Sequence, residues 1–310
     1  MLNKLGYNKL LFILPFDHRS SFTKNLFGID EKQLTTEQEK KVSELKELIY
    51  EGFKKAVNEG INKEYAAILV DEKFGDKILR DARNSGYITL LTTEKSGQKE
   101  FALEYGDDFP AHIEKYKPSF IKALIRYNPE DDDNLKKNQQ KNLKKLNDYS
   151  RNNNYKFLLE VLINPTKNQL SLADNDEKKY DEKIRPKLAT EVIKELQIAG
   201  IEPDVWKMEG INNKNDYVLL VEAARNGDRN NVGIVILGRA ADKNQVEKWI
   251  TKGADVEGVI GFAVGRTVFE EPIQKFFKNI ITKDRAISEI SKNYYHFYKV
   301  FTDKRQSAIK

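Results

Sequence analysis

Eight short apolar runs, each followed by an amphipathic stretch, constrain this chain more than any other feature. The runs are KLLFILPFD (9–17), YAAILVDE (65–72), YITLLTT (87–93), FIKALIRY (120–127), KFLLEVLI (156–163), DVWKMEG (204–210), VGIVILG (232–238) and GVIGFAVG (258–265). They are almost continuously hydrophobic, the pattern of parallel strands covered on both faces. Stretches such as VSELKELIYEGFKKAVNEG, RPKLATEVIKELQIAG and KNQVEKWITKGA lie between them and carry helical periodicity. Thr36 and Glu39 are spaced as a capping box for the first long helix, and Gly60 and Gly200 stand where helices end. The reading is α/β: a single (β/α)8 TIM barrel over residues 1–282, with an extra C-terminal helix in 283–310. An open doubly wound sheet is the rival, but no Pro/Gly/Ser-rich linker divides the 310 residues.

Composition removes several function classes. Hydrophobic residues make up 39% and charged residues 33%, which fits a globular chain and not a disordered one. No apolar run is long enough to span a bilayer, and no export signal opens the sequence, so no membrane partner and a cytoplasmic location are expected. Without cysteine there are no disulfides, thiolate nucleophiles or sulfur ligands. The net charge of +5 comes from lysines interleaved with acids. Even NLKKNQQKNLKKLNDY places Leu135, Leu143 and Leu146 at helical spacing, so nucleic acid is not an expected partner. A modest positive excess suits a small phosphorylated or carboxylated substrate.

Barrel chemistry sits at the C-terminal ends of the strands. Here those ends read FDHR, VDEKFG, TTEKSG, RYNPEDDD, INPT, KMEG, LGRA and VGRT, all polar, charged or glycine-rich. The polar stretches 164–182 and 20–35 are candidate lids. In the final segment Ile287, Ile290, Tyr294, Phe297 and Phe301 share one helical face, which either packs on the barrel or forms a homo-oligomer contact.

Four ionisable residues sit inside apolar runs. Side chains alternate along a strand, so Lys207 shares a face with Val205 and Glu209, Lys122 with Leu124 and Arg126, and Glu160 with Leu158 and Leu162. Asp17 ends the first run. A single buried pair would serve structure alone, whereas Asp17, Lys122, Glu160 and Lys207 on four strands point to a catalytic site. A lysine held near a second cation and away from water loses proton affinity and becomes a nucleophile toward carbonyls. Lys122 is the expected neighbour of Lys207, and Glu160 or Asp17 the proton carrier. The iminium formed on such a lysine is an electron sink for carbon–carbon cleavage. His18, His112 and His296 lie far apart without metal-ligand spacing, so neither a metal nor a cofactor is expected. Gly238–Arg239 and Gly265–Arg266 each precede a helix, a setting suited to phosphate. For Arg239 the alternative is a salt bridge at the helix end. Asp71, Lys73 and Asp76 fit the D-x-K-x-x-D spacing of the orotidine-phosphate decarboxylase superfamily, against the simpler reading of a solvated turn into a helix.

Taken together, LFILPFDHRSSF, ILVDEKFGD, EKSGQKEFALEYGDDF, LIRYNPEDD, FLLEVLINPT, IRPKLATEVIKELQIAGIEPDVWKMEG and GFAVGRTVFEEPI resemble the aldolase-like domain found at the C-terminus of bacterial 5-dehydro-2-deoxygluconokinase fusions, which act in inositol catabolism. More distantly the pattern is similar to class I tagatose-bisphosphate and sulfofructose-phosphate aldolases, whose Schiff-base lysine stands on the sixth strand, the place Lys207 fills. The resemblance implies roles for Asp17 and Arg19 on the first strand, Lys122 on the fourth and Glu160 on the fifth, and it assigns Gly265 and Arg266 to phosphate. It implies a metal-independent lyase cleaving a phosphorylated sugar acid; Arg19 and Arg126 are the candidates for holding the distal carboxylate. Two departures are visible: the kinase half is missing, which implies a free-standing aldolase, and Glu270 stands where the relatives often carry an aromatic residue. Alternatives are the same chemistry on tagatose 1,6-bisphosphate or a sulfosugar phosphate, or a silent barrel that only binds a phosphosugar.

Overall fold

A computed structural model describes residues 4–239 and 241–309. The expected outer limits, residues 1 and 310, and Ala240 of the LGRA motif lie outside the described residues. Eight parallel strands close into a barrel in chain order: β1 (Leu11–Pro15), β2 (Ala66–Val70), β3 (Ile88–Thr92), β4 (Phe120–Arg126), β5 (Lys156–Leu162), β6 (Val205–Glu209), β7 (Gly233–Leu237) and β8 (Val259–Ala263). Each is shorter than its apolar run, because the flanking residues turn away from the ladder. The helices in chain order are α1 (Ser20–Phe27), α2 (Thr36–Asn58), α3 (Glu72–Asn84), α4 (Phe109–Tyr116), α5 (Asp133–Asn152) and α6 (Lys167–Leu172). They continue with α7 (Glu177–Lys183), α8 (Arg185–Ile198), α9 (Lys214–Arg225), α10 (Lys243–Ala254), α11 (Arg266–Phe277) and α12 (Lys283–Ile309).

Strand alternation sorts the core into two layers. Ala66, Ile68 and Val70 of β2 face the helices, while Ala67 and Leu69 face the barrel interior with Leu11, Ile13, Phe120, Leu158 and Val205. These small and branched side chains fill the lower barrel and leave the polar layer above them at the strands' C-terminal ends. α12 packs against α2, α10 and α11. Ile290, Tyr294, Phe297 and Phe301 are buried there, and the Tyr294 hydroxyl donates to the Phe12 carbonyl at 2.7 Å. The approach to α2 is close: a Cβ on Gly52 would stand 2.5 Å from Ile290 Cγ2.

Two local expectations change, and the D-x-K-x-x-D spacing follows the simpler reading of a turn into a helix. The capping box of α2 is formed by Thr35 and Gln38, one residue earlier than Thr36 and Glu39, with the Gln38 amide donating to the Thr35 hydroxyl at 3.3 Å. Both pairs have the same spacing, and only the first leaves its hydroxyl at the non-helical entry position. The stretches read as lids are mostly helical: 20–35 forms α1 and a 3-10 turn at Glu31–Gln33, and 164–182 holds α6 and most of α7. Tyr180 anchors the latter by donating to the Ile163 carbonyl at 3.0 Å. Asp71, Lys73 and Asp76 form no common site. Lys73 pairs with Glu39 on the surface, Asp76 with Arg80, and Asp71 caps α3 through the Phe74 amide at 2.9 Å.

Asp71 also forms a fully buried ion pair with Lys46 of α2, whose ammonium lies between the rings of Phe22 and Phe74. Removing one partner of such a pair strands the other charge out of water. Asp71→Ala is therefore expected to cost about 3–5 kcal/mol in urea unfolding. A loss below 1 kcal/mol would mean that water reaches Lys46.

Candidate active site

The strand register carries the first part of the site. Glu160 and Lys207 are partners across β5 and β6, and Thr92 and Lys122 across β3 and β4. All four side chains point into the barrel, directly above the apolar layer. Glu160 Oε2 lies 2.8 Å from Lys207 Nζ and 3.0 Å from Lys122 Nζ, so a single oxygen bridges both amines. Lys122 Nζ also lies 2.8 Å from Asp17 Oδ2 and 2.5 Å from Glu94 Oε1. Thr92 donates its hydroxyl to Asp17 Oδ2 at 2.7 Å.

These contacts divide the two lysines. Burial works to strip the proton from Lys122, but Asp17, Glu160 and Glu94 outweigh it and hold its pKa well above the ordinary lysine value. Lys122 is thus a fixed cation. Burial also works to raise Asp17 and Glu160, and the lysines reverse it: Lys122 foremost, and both carboxyls are held below their usual range. Glu94 goes the other way, because its burial exceeds the pull of Lys122. Lys207 touches only Glu160 among these acids. The Glu160 carboxylate therefore stands between the Lys207 and Lys122 nitrogens.

The cavity above this layer has two lobes, of about 180 and 280 Å³, joined along a wall of His18, Ser21, Leu124, Arg126, Glu160 and Lys207. Clefts of this scale hold small ligands. The larger lobe ends at Gly238, Arg239, Gly265, Arg266 and Thr267. Gly265 precedes α11, where a Cβ would stand 2.1 Å from the Pro15 carbonyl, so no other residue fits without displacing β1. Arg266 opens α11 and has neither a hydrogen bond nor an ion pair among the described residues. Gly265, Arg266 and Thr267 put the start of that helix against the same lobe, a setting that favours anions.

Two of the other three arginines expected to bind substrate are already engaged. Arg19 Nη1 lies 2.8 Å from Glu104 Oε2, and its Nη2 donates to the Glu94 carbonyl at 2.5 Å. Its guanidinium fixes the β3–α4 loop, including Glu94. Arg239 lies 2.7 Å from Asp181 Oδ1 and 2.9 Å from Glu209 Oε1, so it ties α7 to the rim of the barrel. Glu209 is consumed there and not beside Lys207. Arg126 is freer: Nη1 donates to the Gln98 carbonyl at 2.8 Å, and no carboxylate pairs with it among the described residues. Glu270 accepts from Asn25 of α1, which links α1 to α11.

Sequence reasoning missed Glu94 as a member of this set. The alternation Leu90, Thr92, Glu94 was the available signal, since it continues the inward face of β3 beyond the end of the apolar run. His18 was weighed only as a metal ligand. Among the described residues, no group of three or more His, Asp or Glu side chains is arranged to hold a metal ion.

A sequence family described as "Uncharacterized protein conserved in bacteria (DUF2090)" matches residues 3–305. The chain belongs to the DUF2090 family. The match spans the barrel and nearly all of α12. No curated protein sequence matches the DUF2090 chain. Solved structures do. A fructose-bisphosphate aldolase from Plasmodium falciparum, in complex with TRAP and a small-molecule inhibitor, superposes with TM-score 0.66 at 12% identity, covering 97% of this chain and 92% of its own. An archaeal fructose 1,6-bisphosphate aldolase gives 0.60 at 11%, covering 95% and 94%. A Schiff base-forming fructose-1,6-bisphosphate aldolase gives 0.56 at 11%, covering 94% of each chain. At these identities the likeness establishes that this DUF2090 chain has the aldolase barrel fold. Among the described residues, none of its helices is long and apolar enough to cross a membrane.

Proposed function

We propose that the chain is a class I aldolase that cleaves a phosphorylated keto sugar acid through a Schiff base on Lys207. The observation that carries the reading is the single Glu160 oxygen in contact with both lysines, within a cavity that ends at Arg266, which has no ion pair among the described residues, and a helix start. A barrel that served only as a scaffold or binder gains nothing from burying two amines and three carboxylates in one layer. The fold shared with Schiff base-forming aldolases supports the same chemistry.

The substrate that fits this reading is 5-dehydro-2-deoxygluconate 6-phosphate, in keeping with the motif resemblance. The Lys207 amine adds to its ketone, and loss of the former carbonyl oxygen as water leaves an iminium. Glu160 takes the proton from the hydroxyl two carbons from that ketone, with Asp17 the second candidate. The intervening carbon–carbon bond breaks. The O–H electrons become the carbonyl of malonate semialdehyde, and the bond pair passes to the iminium as the enamine of glycerone phosphate. Carbon protonation and addition of water release glycerone phosphate and free Lys207. Lys122 keeps its charge throughout and holds Asp17, Glu94 and Glu160 in position. Arg266 with the α11 amides is assigned to the phosphate, and Arg126 to the distal carboxylate, a role from which the ion pairs of Arg19 withdraw it. Arg126 could also receive the second phosphate of tagatose 1,6-bisphosphate or a sulfonate. A substrate panel scored by glycerone phosphate release separates these.

The deciding experiment is borohydride reduction in the presence of glycerone phosphate, with the modified residue mapped by mass spectrometry. A secondary amine on Lys207 is expected. Labelling of Lys122 or Lys73 instead, or of no lysine, removes the proposal.

A further inference from the structure

His18 lies on the wall shared by both cavity lobes, beside Lys207 and Glu160 on one side and within reach of the lobe that ends at Arg266. Its Nδ1 is buried without a hydrogen-bond partner, and neither ring nitrogen bonds to any other described residue. A T-shaped contact with Phe269, at 6.3 Å between centroids, fixes the ring's orientation. Nδ1 is sealed from solvent, so a ligand in the cavity meets this half-buried ring at Nε2. The charged groups facing the ring are Asp17 of the β1 end, Arg266 of α11, Lys207 of β6 and Glu160 of β5. Burial, aided by Arg266 and Lys207, brings the imidazole down to about 4, so it is neutral near pH 7. A neutral imidazole offers one N–H donor and one bare nitrogen acceptor.

We propose that His18 selects the substrate by hydrogen-bonding the hydroxyl on the carbon next to the ketone that Lys207 attacks. This assignment rests on the Schiff-base reading. In the proposed sugar acid that hydroxyl is the one polar group left without a protein partner once Lys207 takes the ketone, the α11 start takes the phosphate, Glu160 takes the hydroxyl beyond and Arg126 takes the distal carboxylate. A site built to bond a hydroxyl rejects the analogue that lacks it, because its own polar atom is then left unpaired.

The test compares borohydride trapping of two ketones, glycerone phosphate and acetol phosphate. They share the oxo group and the phosphate, and differ only in that hydroxyl. The wild-type chain is expected to trap glycerone phosphate faster at subsaturating concentration by about tenfold or more. In His18→Ala that ratio should fall toward one, and His18→Gln, which keeps a donor and an acceptor, should restore part of it. The acetol phosphate adduct shows that each variant is folded and reactive. A ratio near one in the wild-type chain, or an undiminished ratio in His18→Ala, overturns the assignment while leaving the aldolase reading intact. If His18→Ala forms no adduct, the ratio in His18→Gln decides: a wild-type or partly restored preference supports the assignment, and its complete loss overturns it. No adduct with either ketone in the wild-type chain removes both.

Discussion

Lys207→Ala is expected to lower ketose-phosphate cleavage by about 10⁴-fold or more, with the fold intact by circular dichroism. The size follows from the role proposed for the amine. Without it no iminium forms, and the breaking bond has nowhere to send its electrons. The remaining cavity still binds substrate through Arg266 and the α11 amides, so the loss should fall on kcat with little change in substrate affinity. Lys122 cannot substitute for the missing amine. It stands 3.0 Å from the same Glu160 oxygen, but Asp17 and Glu94 also hold it as a cation. A variant retaining more than about one per cent of wild-type kcat would show that the chemistry does not pass through this nitrogen.

Lys122→Met should have the second-largest effect, and it falls on stability as well as turnover. The substitution keeps the length of the side chain but leaves Asp17, Glu94 and Glu160 around a neutral group, with Lys207 beside Glu160 and Arg19 near Glu94 as the remaining cations. Stranding buried carboxylates in this way is expected to cost about 3–5 kcal/mol near pH 8. The pH dependence gives a sharper test. In the wild-type chain Asp17 and Glu160 titrate below their unfolded values. Their stabilisation is therefore present above about pH 4 and fades as the pH falls through the folded values. In the variant, burial dominates and raises the folded values above the unfolded ones. The folded variant then binds protons more tightly than its unfolded chain, and it gains stability as the pH falls from 8 toward 4. Urea unfolding at pH 8 and pH 5 should show the gap between the two proteins narrowing at the lower pH. A gap independent of pH would mean that Lys122 does not hold these acids in their charged form.

The barrel and most of its polar layer were legible because a charge inside an apolar run is conspicuous. Glu160 between leucines and Lys207 after tryptophan declare themselves, and strand alternation correctly placed both on the inner face. Glu94 is chemically equal to them but sits in TTEKSG, where an acid looks like ordinary loop composition. Its depth comes from tertiary structure: Arg19 pins its carbonyl and Lys122 meets its side chain, 28 residues away along the chain. Arg239 reads as a phosphate ligand from its neighbours, yet Asp181, 58 residues earlier, claims it once α7 forms. Lys46 lies in ELKEL, a typical solvated helix pattern, and becomes buried only because Asp71 arrives at the end of β2. In each case the deciding partner is distant in sequence, and local pattern carries no trace of it.

The hydrogen bond from Tyr294 to the Phe12 carbonyl joins positions 282 residues apart. The outer side of the first strand is therefore left uncovered until nearly everything that follows has been synthesised and folded. Contacts of such separation are reached late, after loop-closure entropy has been overcome. An apolar β1 waiting for its cover is a stage at which a chain of this kind is exposed to aggregation.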